Sequence, residues 1–198
     1  MTKFTEQKFN IPKLKGISEK TIEEHLKLYG GYVKNSNLVL EKIEELSKNA
    51  DINTYLLGEL QRRFSFEFGG MRNHEYYFRS LEIGAKIISQ NSELVKKITE
   101  DFGSFEIWLK QFKMIATTTR GIGWAVLYYD SANKKLLNTW VDEQHIGHLS
   151  GLNWIFGIDM WEHSYVADYF PSGKKQYVED FITNVNWEVI ENNFKKAR

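Results

Sequence analysis

The chain has 198 residues, enough for one large domain or two small ones, and 42% of them are hydrophobic, enough for a sizeable core. Lys and Arg together number 26, as do Asp and Glu, so no net charge favours nucleic acid or an anionic membrane. The chain has no cysteine, which excludes disulfides, thiolate catalysis and tetrathiolate zinc or iron–sulfur sites.

The N-terminus, "MTKFTEQKFNIPKLKG", has no apolar signal region, and nowhere do about 18 apolar residues run together. The absence of cysteine also suits a reducing compartment. We therefore expect a soluble, cytoplasmic protein without a membrane partner.

The N-terminal half of the sequence is predicted to be helical. Ser18 is the expected N-cap of the first helix, which continues with apolar residues at helical spacing. We expect the Gly30-Gly31 pair to bend or break this helix before a second periodic run over Val33–Leu46. A further helical segment follows, with an expected interruption near Gly69-Gly70.

The pattern changes from about residue 92. Two helices are predicted, separated around Gly103, with Ser104 as a plausible cap. The β-rich runs "GWAVLYYD" and "LLNTWV" are joined by "SANKK", which predicts a hairpin, and "GLNWIFGID" is a third run of strand length. Helical periodicity then returns in "KKQYVEDFITNVNWEVIENNFKKA". The prediction is an α+β fold: an N-terminal helical hairpin domain (1–90) and a C-terminal α/β domain (91–198) with a small three-stranded antiparallel sheet.

The chain has five histidines: His25, His74, His145, His148 and His163. His163 follows Asp159 at a spacing that lets both side chains reach one point. A single histidine beside an apolar stripe is more often a satisfied core residue. Three histidines in aromatic contexts, together with an aspartate, nevertheless favour a shared metal site. An Asp/His general-base dyad is the alternative, although no Ser or Cys nucleophile stands out.

Four motifs resemble those of one family. "DMWEHSY" resembles the D-x-W-E-H-x-Y signature of the iron/manganese superoxide dismutases, and "NHEYYF" resembles their N-H-x-x-aromatic-aromatic motif. "TIEEH" followed by "YVKNSN", and "GIGWAVL", resemble the family's N-terminal pattern and the start of its sheet. These matches occur in family order and span nearly the whole chain. The resemblance implies disproportionation of superoxide to dioxygen and hydrogen peroxide by a Mn or Fe ion cycling between +3 and +2.

The resemblance also implies the roles of particular residues. The four protein ligands of the ion would be His25, His74, Asp159 and His163, with solvent as a fifth ligand. Tyr32 would be the gateway tyrosine of the substrate channel, and Trp161 and Trp124 would form a hydrophobic wall around the ion. Three imidazoles and one carboxylate suit redox-active manganese or iron.

A family glutamine contacts the metal-bound solvent, either from the helix of the second ligand or from the loop before the last strand. The helix position is Gly70 here, and the loop offers Gln144, with His145 as a rival because the loop differs in length from familiar members. Gln144 and Gly157 resemble the manganese-type branch of the family, so manganese is the expected metal and iron is the alternative. His148 is expected to be structural or exposed.

The chain departs from the family pattern at two places. Between His25 and Tyr32 it is one residue shorter than usual, and Tyr29 replaces the channel histidine, so the proton route is in question. The arginine that usually follows "DY" is absent, and Lys174 or Lys175 would have to supply positive charge near the channel, unless they serve solubility alone.

The motif also implies an assembly. Glu162 and Tyr165 match the family's dimer bridge, in which Glu162 of one subunit reaches His163 of the other, so a homodimer is expected. Two other functions stay open from the sequence: a redox-inactive structural or binding homologue on the same fold, and a metal-assisted hydrolase that works with zinc.

Overall fold

The computed structural model describes residues 2–198, and its N-terminal half is a hairpin of two long helices. Helix α1 spans Glu19–Leu46 and α2 spans Ala50–Arg79, joined by a single 3-10 turn. Ser18 caps α1 as predicted, because its side chain accepts a hydrogen bond from the backbone N–H of Thr21. The predicted helical hairpin is confirmed.

Both expected breaks at glycine pairs are wrong. Helix α1 continues through Gly30-Gly31, and α2 continues through Gly69-Gly70. A glycine costs a helix only about 1 kcal/mol, which burial of the neighbouring Tyr29 and Val33 offsets. The second pair serves close approach, since a Cβ added at Gly69 would lie 2.2 Å from the carbonyl oxygen of Gln144.

The C-terminal part contains five further helices: α3 (Glu93–Phe102), α4 (Phe105–Thr118), α5 (Val166–Tyr169), α6 (Lys174–Asn184) and α7 (Trp187–Ala197). Gly103 ends α3 in a left-handed conformation (φ 93°), and Ser104 caps α4 as predicted by accepting from the N–H of Ile107. No helix within residues 2–198 combines the length and the apolar character needed to span a membrane.

Three antiparallel strands form the predicted sheet: β1 (Trp124–Asp130), β2 (Lys135–Val141) and β3 (Asn153–Asp159), in the order β2-β1-β3. Trp124 at the start of β1 pairs with Asp159 at the end of β3. Every residue of β3 after the first is buried. The fold is therefore α+β as predicted, and the register places Trp124 beside Asp159 at one end of the sheet.

The hairpin and the sheet are in direct contact. Helices α1 and α2 pack along each other, and α2 also packs on β3, so residues facing inward from both helices meet the end of the sheet. The predicted domain boundary, between residues 90 and 91, lies between α2 and α3 and stays a prediction.

Candidate metal centre

Four side chains that are distant in the sequence converge where the helical hairpin meets the sheet. His25 comes from α1, His74 from α2 and Asp159 from the end of β3. His163 comes from the 3-10 turn that follows β3. One nitrogen or oxygen atom from each residue lies within 4.8 Å of the other three. The structure thus brings together the four residues that were predicted to be ligands.

The carboxylate of Asp159 is at the centre of this cluster. Its Oδ2 lies 3.2 Å from His25 Nε2, 3.1 Å from His163 Nε2 and 3.5 Å from His74 Nε2. Its Oδ1 accepts a hydrogen bond of 2.8 Å from the backbone N–H of Trp161. Three imidazole nitrogens therefore face one oxygen of a fully buried carboxylate.

His74 shows why the cluster needs a cation. Its Nδ1 lies 2.6 Å from the carbonyl oxygen of Gly70, which only accepts, so Nδ1 carries the ring proton and Nε2 presents a lone pair. This buried Nε2 has no hydrogen-bond partner within residues 2–198, yet it faces Asp159 Oδ2. Two acceptors facing each other away from water are unfavourable unless a cation lies between them. The site therefore fits a metal ion.

The protonation states also suit a cation. Burial lowers the pKa of His25, and it lowers the pKa of His74 well below the ordinary value, so both rings are neutral near pH 7. Burial by itself would raise the pKa of Asp159. Electrostatic interactions and hydrogen bonds with His163 and His25 outweigh that effect and hold the pKa of Asp159 well below its usual range. An ionised carboxylate beside imidazole nitrogens is a donor set that suits manganese or iron.

Two tryptophans pack directly on histidines of the cluster. The fully buried ring of Trp124 meets His74 edge-on, with centroids 5.1 Å apart, and Trp161 stacks on His163 at 5.7 Å. Aromatic rings at these positions exclude water, which lowers the local dielectric constant and strengthens every charge interaction inside.

A hydrogen-bonded chain of three side chains borders the cluster. Trp124 Nε1 donates to Gln144 Oε1 at 3.0 Å, and Gln144 Nε2 donates to the hydroxyl of Tyr32 at 3.1 Å. Gln144 is fully buried, and the Tyr32 ring lies 5.1 Å from that of His74. The indole fixes which end of the amide is the acceptor, so the amide nitrogen points at Tyr32.

His145, the rival of Gln144 in the sequence, has different neighbours. Its ring packs edge-on against Phe66 at 5.7 Å, and its Nδ1 lies 3.8 Å from a carboxylate oxygen of Glu143. No hydrogen bond or ring contact within residues 2–198 joins His145 to the four-residue cluster. Of the two residues, Gln144 is the one in the hydrogen-bonded chain that borders the cluster.

Comparisons with known proteins agree with this cluster. The family model described as "Iron/manganese superoxide dismutases, C-terminal domain" matches residues 90–193. A superoxide dismutase (Fe) of Aquifex aeolicus is 34% identical over 190 residues, which cover 93% of this chain and 87% of that protein. The chain belongs to the iron/manganese superoxide dismutases. A superoxide dismutase (Mn) of Mycolicibacterium smegmatis is also 34% identical, over 173 residues that cover 87% of this chain and 82% of that protein.

Tyr29, which was expected in place of the family's channel histidine, is fully buried. Its hydroxyl accepts from the backbone N–H of Gln7 at 2.9 Å and donates to Glu75 Oε1 at 3.3 Å. Burial raises its pKa to about 12. Tyr29 therefore ties the N-terminal segment to α2, and its phenol stays protonated at neutral pH.

Of the two lysines named in place of the family arginine, Lys174 is the one that a hydrogen bond holds in position. Its Nζ donates to the carbonyl oxygen of Thr119 at 2.6 Å and lies 6.0 Å from the ring centroid of Tyr165. Burial lowers the pKa of Lys174. Lys175 is exposed. The positive charge of Lys174 therefore sits beside the segment that carries His163.

The two residues of the predicted dimer bridge differ in exposure. Glu162 is exposed, and no salt bridge within residues 2–198 involves it. Tyr165 is buried and stacks on Tyr177 with ring centroids 5.3 Å apart. Glu162 thus presents a free carboxylate at the surface directly beside His163.

Two buried residues of α2 near the site were missed in the sequence. Asn73 donates from Nδ2 to the carbonyl oxygen of Gln144 at 3.1 Å, and Glu75 forms a salt bridge of 2.7 Å with Arg72. Both flank His74 within "NHEYYF", and this position in the motif is the only sequence signal for them. The motif does not reveal their partners, because Gln144 is distant in the chain and Arg72 pairs with Glu75 only through helical spacing.

Proposed function

We propose that this protein is a superoxide dismutase that converts superoxide to dioxygen and hydrogen peroxide, with a manganese or iron ion held by His25, His74, Asp159 and His163. The observation that carries the proposal is the meeting of three imidazole nitrogens at one buried oxygen of Asp159. The relatives named superoxide dismutase, Fe and Mn alike, support the same reaction.

The chemistry that such an ion supplies when bound is one-electron exchange between its +3 and +2 states. The overall reaction consumes two superoxide anions and two protons for each dioxygen and each hydrogen peroxide. The protein must therefore admit a small anion, exclude other reactants and hold protons close to the ion.

The four proposed ligands differ in their exposure. His25, His74 and Asp159 are buried, whereas His163 is 21% exposed in its side chain. Tyr32 is half-buried next to His74. A small anion would therefore approach on the side of Tyr32 and His163, the two partly exposed residues at the cluster.

Tyr32 and Gln144 hold the proton-bearing groups beside the ion. Burial, with a further contribution from the charge of Asp159, raises the pKa of Tyr32, so its phenol keeps its proton. Because Gln144 Nε2 already donates to this hydroxyl, the O–H of Tyr32 is free to donate toward the site. Hydrogen bonds of this kind also influence the reduction potential of a bound ion.

The proposed physiological metal is manganese. The glutamine approaches from the loop (Gln144), and the helix position is Gly70, whose Cβ would have no room beside the Tyr32 ring. Relatives of both metal types match equally well, so the metal is decided by elemental analysis of protein purified without added metal. Activity after separate Mn and Fe reconstitution completes that measurement.

The proposed assembly is a homodimer in which Glu162 reaches His163 of the second subunit. The support is an exposed carboxylate without a salt bridge in its own described chain, placed beside a ligand. Light scattering should give twice the chain mass of 23.3 kDa. In Glu162→Ala the dimer should weaken, and an unchanged dimer would remove Glu162 from the interface.

The decisive experiment is a direct superoxide-consumption assay on protein loaded with Mn, Fe or zinc. We expect activity with Mn or Fe and none with zinc, which does not change its oxidation state. Stoichiometric Mn and Fe binding without superoxide consumption would indicate the redox-inactive homologue. Hydrolysis with zinc would indicate the metal-assisted hydrolase.

A further inference from the structure

The loop that carries Gln144 is a tight turn with a strained backbone. Asp142 and Ile146 exchange two backbone hydrogen bonds, of 2.7 and 3.1 Å, across the turn. Glu143 is in the left-handed region at φ 48°, which residues other than glycine rarely adopt. Such a conformation persists only where surrounding contacts hold it. The position of Gln144 therefore depends on hydrogen bonds between the turn and side chains around it.

Two side chains donate hydrogen bonds to the backbone carbonyl of Gln144. Asn73 Nδ2 donates to it from α2 at 3.1 Å, and His148 Nε2 lies at 3.1 Å on the other branch of the loop. Because a carbonyl only accepts, His148 must carry its proton on Nε2. Both lone pairs of the oxygen are then used, and the residue whose amide reaches Tyr32 is fixed at its backbone.

Tyr128 in β1 orients His148. Its hydroxyl lies 2.5 Å from His148 Nδ1, which is the unprotonated nitrogen and accepts the hydrogen bond. Burial lowers the pKa of His148, so the neutral ring is the form that makes both contacts. Tyr128, His148 and the carbonyl of Gln144 thus form a continuous relay from the sheet to the turn.

We propose that His148 is a positioning residue for Gln144: through its Nε2–H it sets where the glutamine amide stands beside Tyr32 and the metal site. This inference rests on the proposed function for the role of Gln144, but the geometry of the relay does not.

The relay is accessible to small molecules. His148, Tyr128 and Asn73 line a cavity of about 520 Å³, together with Tyr76 and Trp154. A cavity of this size admits free imidazole, which is far smaller than the ligands such volumes hold. Loss of the His148 ring should therefore be repairable by adding imidazole from solution.

The test compares three substitutions at one position. His148→Ala removes the donor, His148→Gln places an amide N–H near the position of Nε2, and His148→Asn is polar but too short to reach it. We expect Ala and Asn to keep the metal, shift its midpoint potential and lower activity by about tenfold, since changes in outer contacts of metal sites cost 10- to 100-fold. His148→Gln should restore most of the midpoint potential and the activity. Added imidazole should restore activity to His148→Ala but should not increase the activity of the wild type.

A second measurement works without metal or activity. The side-chain amide signals of Gln144 in ¹⁵N-labelled metal-free protein, assigned by their loss in Gln144→Leu, should shift in His148→Ala and His148→Asn and return in His148→Gln. Unshifted signals would overturn the inference, whatever the activity. If His148→Ala does not fold, the same signals are compared in Tyr128→Phe, His148→Gln and His148→Asn. If the loaded wild type lacks activity while the signals shift, the proposed function fails and the positioning role stands.

Discussion

The helix surface at Gly70 lies directly against the ring of Tyr32: a Cβ at Gly70 would stand 2.4 Å from Tyr32 Cδ1. Real Cβ atoms essentially never approach another heavy atom closer than 3.0 Å. No side chain therefore fits on α2 at this point, and the amide that reaches the hydroxyl of Tyr32 comes from Gln144 on the opposite side. The missing side chain at Gly70 makes room for the ring of Tyr32, and Gln144 in the loop supplies the amide that contacts its hydroxyl.

Gly70→Ala should destabilise the protein by up to about 2 kcal/mol, because overpacking costs about 1–3 kcal/mol and helix propensity returns about 1 kcal/mol. It should also lower activity by displacing Tyr32. Gly58→Ala in the same helix is the matched control, since Gly58 is exposed and has no atom within 4 Å of an added Cβ. That variant should gain about 0.5–1 kcal/mol. Denaturant unfolding of both tests the contrast, and equal effects would contradict it.

Gln144→Leu should keep the metal but lower activity by about 10- to 100-fold, because leucine cannot donate to Tyr32 and the potential of the ion loses one of its controls. His145→Ala should retain most activity, since its ring contacts Phe66 and not the cluster. The measurements are metal content and superoxide consumption. A fully active Gln144→Leu, or a His145→Ala variant that loses as much, would return the role to His145.

The helices show what local sequence rules capture and where they stop. Ser18 and Ser104 were identified as caps because a cap is a local hydrogen bond, and both make it. The predicted breaks at the two glycine pairs are wrong because a glycine costs a helix little, and contacts with distant residues determine whether the helix continues. Gly69-Gly70 in particular is packed against Gln144 and Tyr32, which no helical periodicity reveals.

The metal site divides in the same way. His25, His74, Asp159 and His163 were found through the motifs around them, and the structure places them together. The hydrogen bonds from Asn73 and His148 to the carbonyl of Gln144 join α2 to two parts of one loop, so they depend on the turn geometry and on a left-handed residue. Such contacts follow from the tertiary arrangement and not from spacing.

Asp159→Ala should abolish stoichiometric metal binding, because Asp159 is the only anionic member of the cluster and the point at which the three imidazoles meet. Activity should fall by more than about 100-fold, since even changes outside the ligands of metal sites cost 10- to 100-fold. Asp51→Ala, at an exposed position in the first turn of α2, is the control and should bind metal normally. Elemental analysis after loading and gel filtration gives the answer; a variant that still holds one ion per chain would show that Asp159 is not a ligand.

The stability of the metal-free protein should depend on pH. In the metal-free fold, burial holds the pKa of His25 and His74 below the ordinary value of 6.5, so below that pH the unfolded chain binds more protons than the folded one. Stability is therefore fully present above about pH 6.5 and falls as acid is added, by up to about 1.4 kcal/mol for each histidine and each pH unit.

Melting temperatures between about pH 7.5 and 5.5 should accordingly decline for metal-free protein. Loaded protein should melt at a higher temperature at each pH but decline at least as steeply, because the bound ion occupies the same nitrogen lone pairs and keeps the folded state from binding protons. The double variant His25→Leu/His74→Leu should flatten the metal-free profile, since it removes both groups that are forced to stay neutral. A metal-free wild type whose melting temperature is constant over this range would show that the two rings are not held neutral by the fold, and the lone pairs assigned to the ion would then need another explanation.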